Sequence, residues 1–122
     1  MFNSGTIYSN FTPLVKAPVI GYRISGDDVL KILKKITKKN FSKDHSLIRI
    51  VKIYQKDESI LDECSVVYFK SPKSFTGEDV CEIFLHGSPL IASQFEQLLK
   101  GSKSSWLTIG KKWRVLLQVC SK

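Results

Sequence analysis

Apolar residues recur along this chain in two ways: at the three-and-four spacing of a helix in two stretches, and in alternation or short runs, as in strands, in the others. Thr6 to Phe11 alternates weakly and predicts a short edge strand that Pro13 stops. Val15, Val19, Ile20, Tyr22 and Ile24 predict a second strand over Val15 to Ser25, with Pro18 disturbing its early part. Ser25-Gly26-Asp27-Asp28 is a helix-start signal, since small and acidic residues sit where the first backbone N–H groups need acceptors. Val29, Leu30, Ile32, Leu33 and Ile36 then share one face of a helix that ends near residues 38 to 40.

Ser46 to Gln55 sets Leu47, Ile48, Ile50, Val51, Ile53 and Tyr54 against Arg49 and Lys52, a strand closed by a turn at Asp57-Glu58-Ser59. Ile60 to Lys70 gives another, strongest over Ser65 to Phe69, where consecutive apolar residues predict burial on both faces. Pro72, Ser74 and Gly77 interrupt regular structure, and Val80 to Leu85 forms a short strand closed by Gly87. Ser88-Pro89 starts a second helix with Leu90, Ile91, Phe95, Leu98 and Leu99 on its apolar face and Gly101 as its stop. Ser102 to Ser105 reads as a polar linker, Trp106 to Ile109 as a short apolar run and Trp113 to Val119 as an optional last strand. The order β-β-α-β-β-β-α predicts an α+β fold, a mixed sheet with two packed helices.

A chain of 122 residues with 43% hydrophobic and 25% charged side chains suffices for one hydrophobic core without disulfide or metal support. The formal net charge of +8 invites a nucleic-acid reading. Many of its lysines (Lys31, Lys34, Lys35, Lys38, Lys39, Lys43) lie on the polar side and end of the first helix, where solvation and the helix dipole account for them. Cys64, Cys81 and Cys120 are far apart and include no C-x-x-C pair, so reduced thiols are expected rather than a disulfide framework or a zinc site. Met1 to Asn10 does not have the form of a signal peptide, and no window approaches a spanning length. A soluble, cytoplasmic protein with no membrane association is expected.

A phosphate-binding loop G-x-x-x-x-G-K-[ST] does not occur, because Gly110-Lys111 is followed by lysine, and nucleotide hydrolysis by this chain is not expected. His86 beside Gly87 at a strand end is read as structural, its ring bonded to a loop carbonyl, in preference to a nucleophile pair with Cys81 or Cys64. Glu78, Asp79 and Glu82 are a possible acid–base set, two of them expected only to satisfy loop amides. Arg23 and Glu82 are ionisable groups set in otherwise apolar strands, where burial demands a partner. Two readings stay open: the pair meets across the sheet, or it recognises a flat polar heterocycle through the paired acceptors of a carboxylate and the donor fork of a guanidinium.

Tyr22-Arg23-Ile24-Ser25-Gly26 and the longer block Val66-Val67-Tyr68-Phe69-Lys70-Ser71-Pro72-Lys73-Ser74-Phe75-Thr76-Gly77-Glu78-Asp79-Val80-Cys81-Glu82-Ile83, followed by His86-Gly87, resemble the N-terminal domain of the tRNA-modification GTPase MnmE (TrmE) family. The resemblance implies a fold like the tetrahydrofolate-binding domain of glycine-cleavage T-proteins and a homodimer contact. It also implies binding of a reduced folate, 5-formyl- or 5,10-methylene-tetrahydrofolate, as one-carbon donor. Carried over by motif, the folate-contacting arginine and glutamate are Arg23 and Glu82. The complete family protein acts with the flavoprotein MnmG (GidA) on the wobble uridine of certain tRNAs.

Two departures accompany this resemblance. Leu14-Val15-Lys16-Ala17-Pro18 stands where the family has a glycine-rich segment, and the motif and lysine that complete the folate site are not found after Lys100. The expected organisation is therefore a family-like domain over residues 1–100 and a non-matching tail over 101–122, a truncated form without GTPase activity of its own. The competing readings are a small basic RNA-binding module and an inactive remnant of a degraded gene.

Overall fold

The computed structural model describes residues 6–11 and 18–102. Five strands and two helices follow in the order β1 (Ile7–Asn10), β2 (Val19–Ser25), α1 (Val29–Thr37), β3 (Ile48–Tyr54), β4 (Ile60–Phe69), β5 (Val80–His86) and α2 (Pro89–Ser102). The α+β class with one sheet and two helices is thus what the chain adopts. The strands form a single sheet ordered β1-β2-β5-β4-β3, and each neighbouring pair is antiparallel. One isolated parallel bridge joins His45 to Tyr68. Of the predicted second strand, residues 15–17 lie outside the described residues, as does the run Trp113 to Val119.

Both helices cover the same face of the sheet. Val29, Ile32, Leu33 and Ile36 of α1 and Phe95, Leu98 and Leu99 of α2 join Tyr8, Tyr22, Ile24, Val51, Ile53, Cys64, Val66, Tyr68, Cys81, Ile83 and Leu85 in one buried cluster. Because strand side chains alternate between faces, the intervening residues, among them Ser9, Arg23, Ser25, Val67, Glu82 and Phe84, project to the side without helices. Val66, Val67 and Tyr68 are all buried, so the middle of β4 is covered on both sides, as its unbroken apolar run predicts.

Three local expectations change. Asp28 takes the N-cap position of α1, but its side chain makes no cap bond, and its own N–H donates instead to Thr6 Oγ1 at 3.0 Å. The helix start is thus tied to the residue preceding β1. Gly101 does not stop α2, which runs on to Ser102. In β3 the apolar residues do not share one face: Val51 and Ile53 are buried in the core, whereas Ile48 and Ile50 are 74% and 68% exposed on the open side. The start of α2 is as expected, with the Ile91 N–H donating to Ser88 Oγ at 3.3 Å.

Candidate functional site

β2 and β5 pair over seven positions, and their register sets Arg23 directly opposite Glu82. Cross-strand neighbours on one face lie close enough for side chains to meet. Here the Arg23 Nε and Nη2 groups both donate to Glu82 Oε2, the Nε contact at 2.9 Å. The side chains are 7% and 12% exposed, so the ion pair is nearly withdrawn from water. The two residues selected from sequence are therefore brought together, with the cross-sheet pairing realised. Glu82 Oε1 accepts no hydrogen bond among the described residues and stays available as an acceptor.

Aromatic rings flank the guanidinium. Arg23 Cζ stands 4.9 Å from the centroid of Phe11, just past β1, and 4.6 Å from that of Phe75, in the 70–79 loop between β4 and β5. Such contacts stabilise a partly desolvated cation by about 0.5–2 kcal/mol each. Phe11 is placed by Gly21: a Cβ there would stand 2.5 Å from the Phe11 ring, so only glycine leaves room for it. Phe75 remains 55% exposed.

The polar floor extends beyond the pair. Ser9 is opposite Arg23 in the β1–β2 register and fully buried, yet its Oγ has no hydrogen-bond partner among the described residues. A buried hydroxyl with nothing to bond costs about 1–3 kcal/mol. Two residues along β2, Ser25 Oγ shares a 2.8 Å hydrogen bond with Thr76 Oγ1 and donates to Glu78 Oε2 at 3.4 Å, tying the 70–79 loop to the sheet. The Gly26 N–H donates to Asp79 O at 2.9 Å and completes that anchor.

The remaining candidates separate from this cluster. Asp79 Oδ1 accepts the Ser71 N–H at 2.9 Å, the loop-amide role expected of it, and Glu78 faces the Ser25 hydroxyl. His86 does not bond a loop carbonyl. Its ring Nδ1 lies 2.8 Å from Asp62 Oδ1, and its backbone N–H donates to Asp62 Oδ2 at 2.9 Å, because the side chain leaves the strand toward β4 and meets a carboxylate there. Cys64 and Cys81 are buried free thiols on the helix side. Burial pushes the Cys64 thiol up to about 12 and raises that of Cys81 further, so neither is a ready nucleophile. No group of residues suited to a metal ion occurs among the described residues, and no helix among them is long and apolar enough to cross a membrane.

The basic-surface reading loses its main support. The described residues carry thirteen basic and eleven acidic side chains, so six of the eight excess positive charges lie in Lys16 and residues 103–122. Lys38 pairs with Glu58 and stands over the Tyr54 ring, and Lys31 lies 3.9 Å from Asp28.

Ser9, Phe11, Ser25 and Phe75 are parts of the site that the reading of the residues did not single out. For Ser25 the signal was its two-residue offset from Arg23, and for Phe75 its place within the long motif. Ser9 and Phe11 follow only from the β1–β2 register.

A family profile described as GTP-binding protein TrmE N-terminus matches residues 6–107. The tRNA modification GTPase MnmE of Helicobacter pylori strain HPAG1 is 45% identical over 93 residues, 75% of this chain and 20% of that protein. The MnmE proteins of Aliarcobacter butzleri (42% over 93 residues, 76% of this chain and 21% of the relative) and Rickettsia canadensis (39% over 87 residues, 71% and 20%) match similarly. The chain thus spans about a fifth of the length of these curated relatives.

Proposed function

Because this chain belongs to the TrmE N-terminal family, we propose that it is a reduced-folate-binding, dimerising domain that serves tRNA wobble-uridine modification and has no GTPase activity of its own. The observation that carries the reading is the buried Arg23–Glu82 pair on the face without helices, at the two positions where the family resemblance sets the folate contacts. The residues present suit a pterin. Glu82 Oε1 accepts an N–H from the amino edge of the heterocycle, Ser9 Oγ supplies a buried group lacking a partner among the described residues, and Arg23 offers a cationic face already stacked on rings. While Arg23 holds Oε2, the carboxylate has one open oxygen rather than two, so a fully bidentate grip on the ligand requires the guanidinium to turn aside. Bound there, a reduced folate supplies the one-carbon unit.

Dimerisation is supported by the open sheet face, where Ile48 and Ile50 stand exposed beside Leu47. The MnmG flavoprotein and tRNA are partners of the domain in the context of a complete MnmE-like protein. We also keep as a proposal the division into a family-like domain over 1–100 and a tail over 101–122.

Calorimetric titration of the purified chain with 5-formyltetrahydrofolate tests the ligand. Saturable binding that Glu82→Gln weakens at least tenfold is expected, and no heat of binding in the parent chain refutes the reading. Sedimentation equilibrium tests the dimer: Ile48→Lys/Ile50→Lys is expected to shift the chain to monomer, and a parent chain monomeric at all concentrations refutes it.

A further inference from the structure

Two hollows of about 360 and 290 Å³ adjoin on the helix side of the sheet and share Gln55, Lys56 and Leu98 in their walls. They lie between the last turn of α1, the middle turns of α2 and the turn that joins β3 to β4. Ile36, Tyr54 and Leu98 give them an apolar floor, and the carboxamides of Gln55, Gln94 and Gln97 form the rim. Positions 94, 97, 98 and 101 share one stripe of α2 by helical spacing, so the chain leaves the helix beside this trough. We propose that the trough is the docking site of the chain's own segment Trp106-Leu107-Thr108-Ile109, which lies outside the described residues. The trough is on the opposite face of the sheet from Arg23 and Glu82, and the docking does not depend on the folate reading.

Reach, shape and charge select this occupant. Leu98 and Gln94 stand about 6 and 12 Å back along the helix axis from Ser102. Trp106 is four residues beyond Ser102 and can be carried back by at most about 14 Å, which covers that distance with one reversal of the chain. An indole has an apolar body and a single N–H donor, and so matches an apolar floor rimmed by carboxamide acceptors. Hollows of about 300 Å³ are at the low end for small-molecule sites and suit one or two large side chains. No acidic residue follows Glu96, whereas residues 103–122 carry five basic ones. Lys35 and Lys56 of the lining are balanced by Asp57 and Glu58, and Asp57 makes no ion pair among the described residues. A basic segment therefore meets an open carboxylate rather than a repelling surface.

Trp106 and Trp113 are the two tryptophans of the chain, so tryptophan emission reports on residues 103–122 alone. In the full chain carrying Trp113→Phe, Trp106 is expected to emit to the blue of the urea-unfolded protein and to be quenched by acrylamide several-fold less efficiently. Gln94→Arg/Gln97→Arg fills the trough and opposes a basic segment, at positions where arginine sustains the helix. It is expected to move the emission to the red and raise quenching several-fold, with far-UV circular dichroism unchanged. Asp57→Lys, in the exposed turn, is expected to act in the same direction without touching α2. Emission and quenching in Trp113→Phe equal to those of the unfolded chain overturn the docking. Protection that survives both sets of substitutions overturns the assignment to this trough. Protection lost on dilution assigns the cover to a second copy of the chain and overturns an intramolecular one.

Discussion

Removing the Glu82 carboxylate should test the energetic standing of the cross-strand pair more sharply than any other change. Arg23 is 6% exposed and lies between Phe11 and Phe75, so in Glu82→Ala the guanidinium would keep its charge, lose the carboxylate that receives two of its N–H groups, and gain little water. Breaking a buried ion pair from one side costs about 3–5 kcal/mol. Replacing both partners, as in Arg23→Met/Glu82→Leu, removes the uncompensated charge along with the pair and should cost close to nothing. The double variant is therefore expected to be about 3 kcal/mol or more stable than Glu82→Ala, a large part of the roughly 5–15 kcal/mol that holds a domain of this size together. Glu82→Gln keeps an acceptor oxygen but loses the charge, and should cost about 1–3 kcal/mol. Urea unfolding followed by far-UV circular dichroism measures the parent chain and these three variants, with an unchanged m-value required for the comparison. A cost below about 1 kcal/mol for Glu82→Ala, the value of a solvent-exposed pair, would refute the argument. Repeating the titrations with 5-formyltetrahydrofolate at a hundred times its dissociation constant should add about 2.7 kcal/mol to the parent chain and much less to Glu82→Gln.

Gly26→Ala should destabilise the chain by about 2 kcal/mol or more, because Gly26 has φ +145° and a Cβ there would stand 2.5–2.8 Å from Thr6 atoms; a melting temperature within a degree of the parent would contradict this. Asp62→Ala should cost about 1–2 kcal/mol by removing the acceptor of both the His86 N–H and its ring nitrogen, and denaturant unfolding that shows no change would argue against it. At alkaline pH the chain should lose stability. Burial raises the Cys64 thiol from its ordinary 9.0 to about 12, and raises Cys81 as well, so the unfolded chain releases these protons first. Their contribution is complete below about pH 9 and declines between pH 9 and 12, by up to about 1.4 kcal/mol per pH unit for each thiol. Urea titrations from pH 8 to 10.5 giving a constant midpoint would refute it.

How much of this was readable beforehand depended on how local each signal is. α1, α2, β4 and β5 were legible because helical spacing, proline at a helix start and unbroken β-branched runs are properties of short windows. β3 was legible as a strand, but its burial was not: Ile48 and Ile50 have the same chemistry as Val51 and Ile53, and only the pleat and the position of the helices decide which pair is covered. Arg23 and Glu82 stood out singly as charges in apolar strands. Their contact depends on a register between segments 59 residues apart, and sequence left pairing and ligand recognition equally open. Ser9 and Phe11 were silent because a short edge strand carries no mark of the residues it will oppose. The Asp28 cap misled, since an acidic residue in the right place says nothing about a competing hydroxyl from Thr6, which reaches its N–H from across the chain.

The place of β5 between β2 and β4 bears on how the chain comes off the ribosome. β1–β2 and β3–β4 are each formed by strands close in sequence and can zip as hairpin-like units as they emerge, but nothing joins those units edge to edge until residues 80–86 have been made. The last of the described strands to be synthesised is the keystone of the sheet, and it brings Glu82 to a waiting Arg23. Until that moment two open strand edges, one bearing the Arg23 guanidinium, wait in the nascent polypeptide.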